Sequence, residues 1–133
     1  MLDTNTLIYM MKNQHPSIMS RVDTLTSDDI LSMPFITWAE LLKGAERSQR
    51  KTETLRRLDG LARQIPVLYP AGSAICQHYA QHFTHLKEAG IPIGANDLWI
   101  ACHALSVEAT IVTHNTREFE RIKGLRVEDW VSA

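Results

Sequence analysis

The chain has 133 residues, 44 % of them apolar and 22 % charged, and a net charge of −1. Such a composition suits one packed domain and excludes disorder as the main state, as well as a polycation that would grip nucleic acid over its whole surface. No apolar run reaches the roughly 18–20 residues that span a bilayer, the start lacks a charged-then-apolar leader pattern, and Cys76 and Cys102 make no disulfide framework, so a cytoplasmic protein without membrane attachment is expected.

In chain order, Leu2-Asp3 closes a stubby first strand, and Leu7, Ile8, Met10 and Met11 form an early apolar run suited to a core helix. The stretch 30–36 predicts a strand, against which Pro34 counts. Leu55, Leu58, Leu61 and Ala62 repeat at helical spacing, and Ile65-Pro66-Val67-Leu68-Tyr69 then predicts a second clear strand. Ile75, Tyr79, Phe83 and Leu86 form one face of a helix that Gly90 stops. A further helix runs from Asp97 to Leu105, entered through Gly94-Ala95-Asn96. Ala109-Thr110-Ile111-Val112-Thr113 and Leu125-Arg126-Val127 complete the strands. Strands alternating with helices predict an α/β domain with a mainly parallel sheet.

In open parallel sheets, ligands sit beyond the carboxyl ends of the strands. Polar groups stand at four such junctions: Asp3; Glu40, one turn past Ile36-Thr37; Asp97; and Asn115 with Glu118. Carboxylates brought together repel unless a cation joins them. Oxygen-only ligands suit Mg²⁺ or Mn²⁺, and such an ion can activate water against a phosphodiester. Each acid also has a plainer role. Thr37-Trp38-Ala39-Glu40 fits a capping box, Asn115-Thr116-Arg117-Glu118 fits an N-cap, Asp3 can cap the first helix, and Asp97 suits a helix start whose dipole would keep it ionised.

The ordered set of motifs resembles the PIN domains. Leu2-Asp3-Thr4-Asn5 is similar to their opening motif, and Thr37-Trp38-Ala39-Glu40-Leu41-Leu42-Lys43-Gly44 to their second. Gly94-Ala95-Asn96-Asp97-Leu98-Trp99-Ile100-Ala101 and Val112-Thr113-His114-Asn115-Thr116-Arg117-Glu118-Phe119 resemble the third and fourth. The tail, Ile122-Lys123-Gly124-Leu125-Arg126-Val127-Glu128-Asp129-Trp130, is similar to that of the VapC toxins of type II toxin–antitoxin pairs.

The resemblance implies a single PIN domain over residues 1–133, with a central, mainly parallel sheet flanked by helices. It implies an endoribonuclease dependent on Mg²⁺ or Mn²⁺, with tRNA cut in the anticodon region as the leading substrate. It further implies inhibition by a VapB-type antitoxin, a homodimer within a larger toxin–antitoxin assembly, and contact with operator DNA only through the antitoxin. Asp3, Glu40 and Asp97 would bind the metal, and Glu40 would also orient or deprotonate the attacking water. Asn115 stands where many PIN domains carry a fourth acid and would act as a neutral ligand or water holder, with Glu118 behind the metal-binding groups. Thr4, Asn5 and Thr113 would position water or phosphate.

Half of the 14 Lys and Arg residues lie between Lys43 and Arg63, so Lys43, Arg50, Lys51 and their neighbours form a candidate RNA track. His78, His82 and His85 share a helical stripe read as packing or surface in preference to a zinc or nickel chelate, and His114 lies nearer the expected site. Both cysteines are expected to be buried, and Trp38, Trp99 and Trp130 to anchor the core. The alternatives are a phosphatase with Asp3 as nucleophile, which lacks the usual second acid because position 5 is Asn, and a catalytically weak RNA- or protein-binding module marked by Asn115.

Overall fold

The computed structural model describes residues 1–131. The elements are α1 (Thr4–Met11), α2 (Pro16–Asp23), β1 (Met33–Pro34), α3 (Phe35–Glu46), α4 (Lys51–Gln64), β2 (Val67–Leu68), α5 (Ala74–Glu88), α6 (Ala95–Ser106), β3 (Ile111–Val112), α7 (Thr116–Phe119) and β4 (Val127–Glu128).

The sheet is short-stranded and parallel. β1 pairs with β2 and β3 with β4, both in parallel, and Leu2 bridges Val112 in parallel. The Leu2 amide donates to the Ser32 carbonyl at 2.8 Å, which joins the halves. The spatial order is therefore β2, β1, Leu2, β3, β4. Sequence order reverses at Leu2, so the crevice at the carboxyl ends of Leu2 and β3 is the topological switch point where ligands bind in this architecture.

Consecutive strand residues point to opposite faces, and the core divides accordingly. Met1 and Ile111 join Ile75, Leu86, Leu98, Ile100 and Phe119 on one face. Leu2 and Val112 join Leu7, Ile18, Met33, Leu41, Leu58 and Trp130 on the other. Burial on both faces explains why the strands read as apolar runs instead of alternating with polar residues.

The 30–36 strand contracts to Met33–Pro34. Pro34 has no N–H to extend the ladder, and in extended backbone (φ −72°, ψ 152°) it leads into α3, so Phe35 and Ile36 wind into the helix. Ile30 is 83 % exposed. The 65–69 strand likewise shortens, because Ile65 caps the C-terminus of α4 through its N–H to the Leu61 carbonyl. Gly90 stops α5 as expected. At φ +72° its N–H bonds the Lys87 carbonyl and the next amide, Ile91, bonds Leu86. Cys102 is buried but Cys76 is exposed, since it follows core-facing Ile75 by one position on α5 and so turns outward. Trp130 is buried, and Trp38 and Trp99 pack partly buried against the two core clusters.

Candidate active site

The site grows from the two central carboxyl ends. Asp3 follows Leu2 and begins α1, where its Oδ1 accepts the Thr6 N–H at 3.0 Å. Its second oxygen, Oδ2, accepts the Thr113 hydroxyl at 2.6 Å, from the residue that follows β3. The cap and the link to Thr113 thus coexist in one carboxylate that is only 4 % exposed. Burial pushes its pKa up, with Glu40 adding to the rise, while the hydrogen bonds from Thr113 and Thr6 oppose it.

Thr113 links the halves of the site, because its Oγ1 also accepts the Asn115 backbone N–H at 2.9 Å. Asn115 precedes α7, yet its side chain makes no cap bond. The amide instead donates to Glu118 Oε2 at 2.6 Å and to Asp97 Oδ2 at a longer 3.4 Å. A neutral amide at this position therefore holds two carboxylates without adding a third charge.

Asp97 lies in the first turn of α6, after Gly94. Its carboxyl is not kept readily ionised by the helix dipole, as the sequence led one to expect. Burial, then Glu118, Asp3 and Glu40, together push its pKa up to about 6. A dipole contribution of about 0.3–1 kcal/mol is smaller than that combined effect. Asp97 thus lies within electrostatic reach of Glu118, Asp3 and Glu40.

Glu40 enters from α3, where Thr4 Oγ1 donates to Glu40 Oε1 at 2.6 Å and lies 3.2 Å from Thr37 Oγ1. The expected capping box does not form. α3 already starts at Phe35, so Thr37 is its third residue, and the N-cap is Pro34. Glu40 also opens onto a groove of about 430 Å³ walled by Ile8, Met11, Leu41, Arg57 and Leu58.

The structure thus brings Asp3, Thr4, Glu40, Asp97, Thr113, Asn115 and Glu118 into one connected edge. Asn5 stands apart, exposed on α1 and without a side-chain hydrogen bond among the described residues. Lys43 is exposed one turn beyond Glu40. Lys51 pairs with Glu46 at 2.8 Å and Arg50 with Glu53 at 3.7 Å, so part of the basic stretch is locally neutralised. Thr6 and Thr37 were missed as site supports. The Thr37-to-Glu40 spacing was visible, but it marks a shared helical face rather than a cap.

His78 and His82 stack on the surface of α5 with ring centroids 6.2 Å apart. Among the described residues no group of three or more His, Cys, Asp or Glu side chains, the Asp3, Glu40 and Asp97 set included, is arranged as it stands to hold a metal ion, and no helix is long and apolar enough to cross a membrane.

A small parallel sheet with acids gathered at its switch point defines a class of hydrolase scaffold, and comparison with known proteins narrows it. The model of the PIN domain family matches residues 1–125. The chain is 51 % identical over 130 residues to Ribonuclease VapC1 of Haemophilus influenzae (strain R2866), covering 98 % of this chain and 96 % of that protein. It is 42 % identical over 131 residues to the tRNA(fMet)-specific endonuclease VapC of Shigella flexneri, with the same coverage of both. Its fold matches VapBC-1 from nontypeable Haemophilus influenzae with a TM-score of 0.92 at 50 % identity, and DNA-bound VapBC from Salmonella typhimurium with 0.87 at 39 %, each over 97 % of this chain and 96 % of the other. The chain belongs to the PIN-domain family, in its VapC ribonuclease branch.

Proposed function

We propose that this chain is the toxin of a type II toxin–antitoxin pair, an endoribonuclease that needs Mg²⁺ or Mn²⁺ and is silenced by a VapB-type antitoxin. The observation that carries it is the continuous edge from Glu40 through Thr4, Asp3, Thr113 and Asn115 to Asp97 and Glu118. Its donors are all oxygen atoms and a neutral amide, which fits a hard cation and not zinc. Burial is the main reason the pKa values of Asp3 and Asp97 are raised, and the smaller part that comes from neighbouring carboxylates is what a divalent cation would relieve. An open edge in place of a closed cage suits Mg²⁺, which keeps several waters and uses few protein ligands.

Asp3, Asp97 and Glu40 would hold the ion, directly or through water. When bound, it would supply a more acidic water and offset the charge of the phosphodiester. Thr6 and Thr113 fix both oxygens of Asp3, so the carboxylate loses no rotamer freedom when substrate arrives. Glu40, steadied by Thr4, orients the attacking water or takes its proton. Asn115 and Glu118 set the orientation of Asp97, and Thr4 and Thr113 are placed to position water or phosphate.

The substrate is tRNA, in keeping with the name of the Shigella flexneri relative, and the cut falls in its anticodon region. Exposed Lys43 and the bases of α4 would guide phosphates toward the acids. The chain works in the cytoplasm as a homodimer within a larger assembly with its antitoxin, and meets operator DNA only through that partner; that such an assembly meets DNA is in keeping with the DNA-bound VapBC neighbour. The test is incubation of the purified chain with total tRNA and Mg²⁺ or Mn²⁺, followed by mapping of the cut ends. Discrete cuts that vanish with EDTA and with Asp97→Asn are expected; cleavage unaffected by both would refute the assignment.

A further inference from the structure

His103 is a buried titratable group that the site does not use. It lies on α6, 0 % exposed, and among the described residues no protein group bonds its Nδ1 or its Nε2. The ring of Phe35, the first residue of α3, packs edge-on against the imidazole with centroids 5.6 Å apart. Ile100, Cys102 and Ala104 of α6 are wholly buried in the apolar cluster that Phe35, Ile36 and Leu68 border. The imidazole therefore plugs the seam where α3 packs on α6. Those two helices carry Glu40 and Asp97. At 1.5 Å per residue His103 lies about 9 Å along α6 from Asp97, and Phe35 precedes Glu40 on α3 by little more than a turn.

Volume alone does not call for histidine at this position. A leucine or phenylalanine would fill apolar space without leaving two polar atoms unbonded. What histidine adds is a place for a proton. A buried imidazole without partners must stay neutral, because a charge there would have no counter-ion. Burial alone, with no charged neighbour contributing, holds its pKa below the ordinary 6.5. The ionisable groups on the surrounding elements do not offset this. Cys102, next to it on α6, has a thiol that burial pushes up to about 12 and so keeps neutral. Tyr69 follows β2 and lies beyond the Phe35 ring, exposed, with centroids 6.5 Å apart. α5 brings Tyr79 to this cluster, stacked on Trp99, and β1, Met33–Pro34, brings no ionisable side chain. On α3 the charged residues Glu40, Lys43 and Glu46 all come later than Phe35.

We propose that His103 makes the α3–α6 seam acid-sensitive: a proton on its imidazole opens the seam and draws Glu40 and Asp97 apart. The sign follows from which state holds the proton. With the seam open the ring is wet and takes a proton near its ordinary 6.5; with the seam closed it does not. The closed seam is therefore fully favoured above that pH and loses ground as pH falls below it. Asp97 works in the opposite direction, since the folded chain binds its proton more tightly. Substitution at His103 separates the two effects.

The test is amide hydrogen exchange on the full-length chain in EDTA at pH 7.5 and 5.5, for wild type, His103→Leu and His103→Gln. Neither replacement titrates, and the glutamine covers the case in which leucine packs badly. Comparing the chains at one pH cancels the intrinsic exchange rate. Between pH 7.5 and 5.5, exchange from α3 and α6 should gain about tenfold in wild type relative to the variants, one proton being linked to opening over the unit below 6.5. Exchange from α2 should keep the same ratio throughout. A ratio for α3 and α6 that does not change with pH would make His103 a packing residue and overturn the proposal. A change spread evenly over every helix would overturn it too, because acid would then act on global unfolding and not on the seam. The readout needs neither RNA nor metal, so its failure is distinct from failure of the nuclease function.

Discussion

Replacing Asp97 with Asn should stabilise the metal-free protein while abolishing cleavage. In the folded chain the Asp97 carboxyl titrates at about 6 against an ordinary 3.8, through burial and the nearby Glu118, Asp3 and Glu40. At about 1.36 kcal/mol per pH unit, that displacement corresponds to about 3 kcal/mol of folding free energy opposed by the ionised form. Asp97 is partly exposed, so solvent and salt reduce the figure to about 1–2 kcal/mol. The folded state binds this proton more tightly than the unfolded state does. Stability therefore falls as pH rises from 3.8 to about 6, and the full penalty stands above that. Asn is nearly isosteric and its oxygen can still accept the Asn115 amide. In EDTA at pH 7.5, Asp97→Asn should melt about 3–8 °C above wild type, and the gap should close near pH 4. Added Mg²⁺ should favour the wild type, because an ion that binds only the folded state offsets the repulsion. A variant no more stable than wild type in EDTA, or a gap that does not shrink in acid, would refute the electrostatic account of Asp97.

Three further outcomes follow from other parts of the molecule. Thr113→Val keeps the side-chain shape but removes the hydroxyl that donates to buried Asp3 and accepts the Asn115 N–H; urea denaturation should show a loss of about 1–3 kcal/mol, with cleavage falling as well. Gly90→Ala places a Cβ at φ +72°, where it touches none of the site residues, so the melt should register about 1 kcal/mol of destabilisation with kcat unchanged. Removing the charges of Lys43, Arg50, Lys51 and Arg56 together should weaken tRNA binding and flatten its salt dependence by about 0.7–0.9 per lost phosphate contact; an unchanged slope would make the stretch a solvated face.

The elements legible from the sequence are those with long helical periodicity. Ile75, Tyr79, Phe83 and Leu86 located α5 and Gly90 its end, because helical periodicity and a left-handed stop are local signals, although only Ile75 and Leu86 are buried and Phe83 stays exposed. The strands were located but overdrawn. With two paired residues each, their ends are set by neighbouring helices, as where Pro34 hands over to α3 and Ile65 belongs to the cap of α4. At the site, Asp3, Glu40, Asp97 and Asn115 stood at strand-to-helix junctions, and the fold rule for parallel sheets sufficed to propose that they meet. What stayed hidden was who holds whom. Thr113 bonding Asp3 across 110 positions, and the Asn115 amide turning from the expected cap to Glu118 and Asp97, depend on tertiary contacts that no local window contains. Arg50 and Lys51 stood in a net-basic stretch whose acids include Glu46 and Glu53; the Arg50–Glu53 pair is local, while the turn between α3 and α4 brings Lys51 back onto Glu46.

The central claim is that Asp3, Glu40 and Asp97 share one divalent ion at the carboxyl edge of the sheet. Anomalous diffraction from crystals soaked in Mn²⁺ tests it most directly. The account predicts one manganese peak among these three carboxylates, within about 2.0–2.4 Å of an Asp3 or Asp97 oxygen or one water away from it, and no peak there in Asp97→Asn. Manganese bound elsewhere on the chain while this edge stays empty would contradict it.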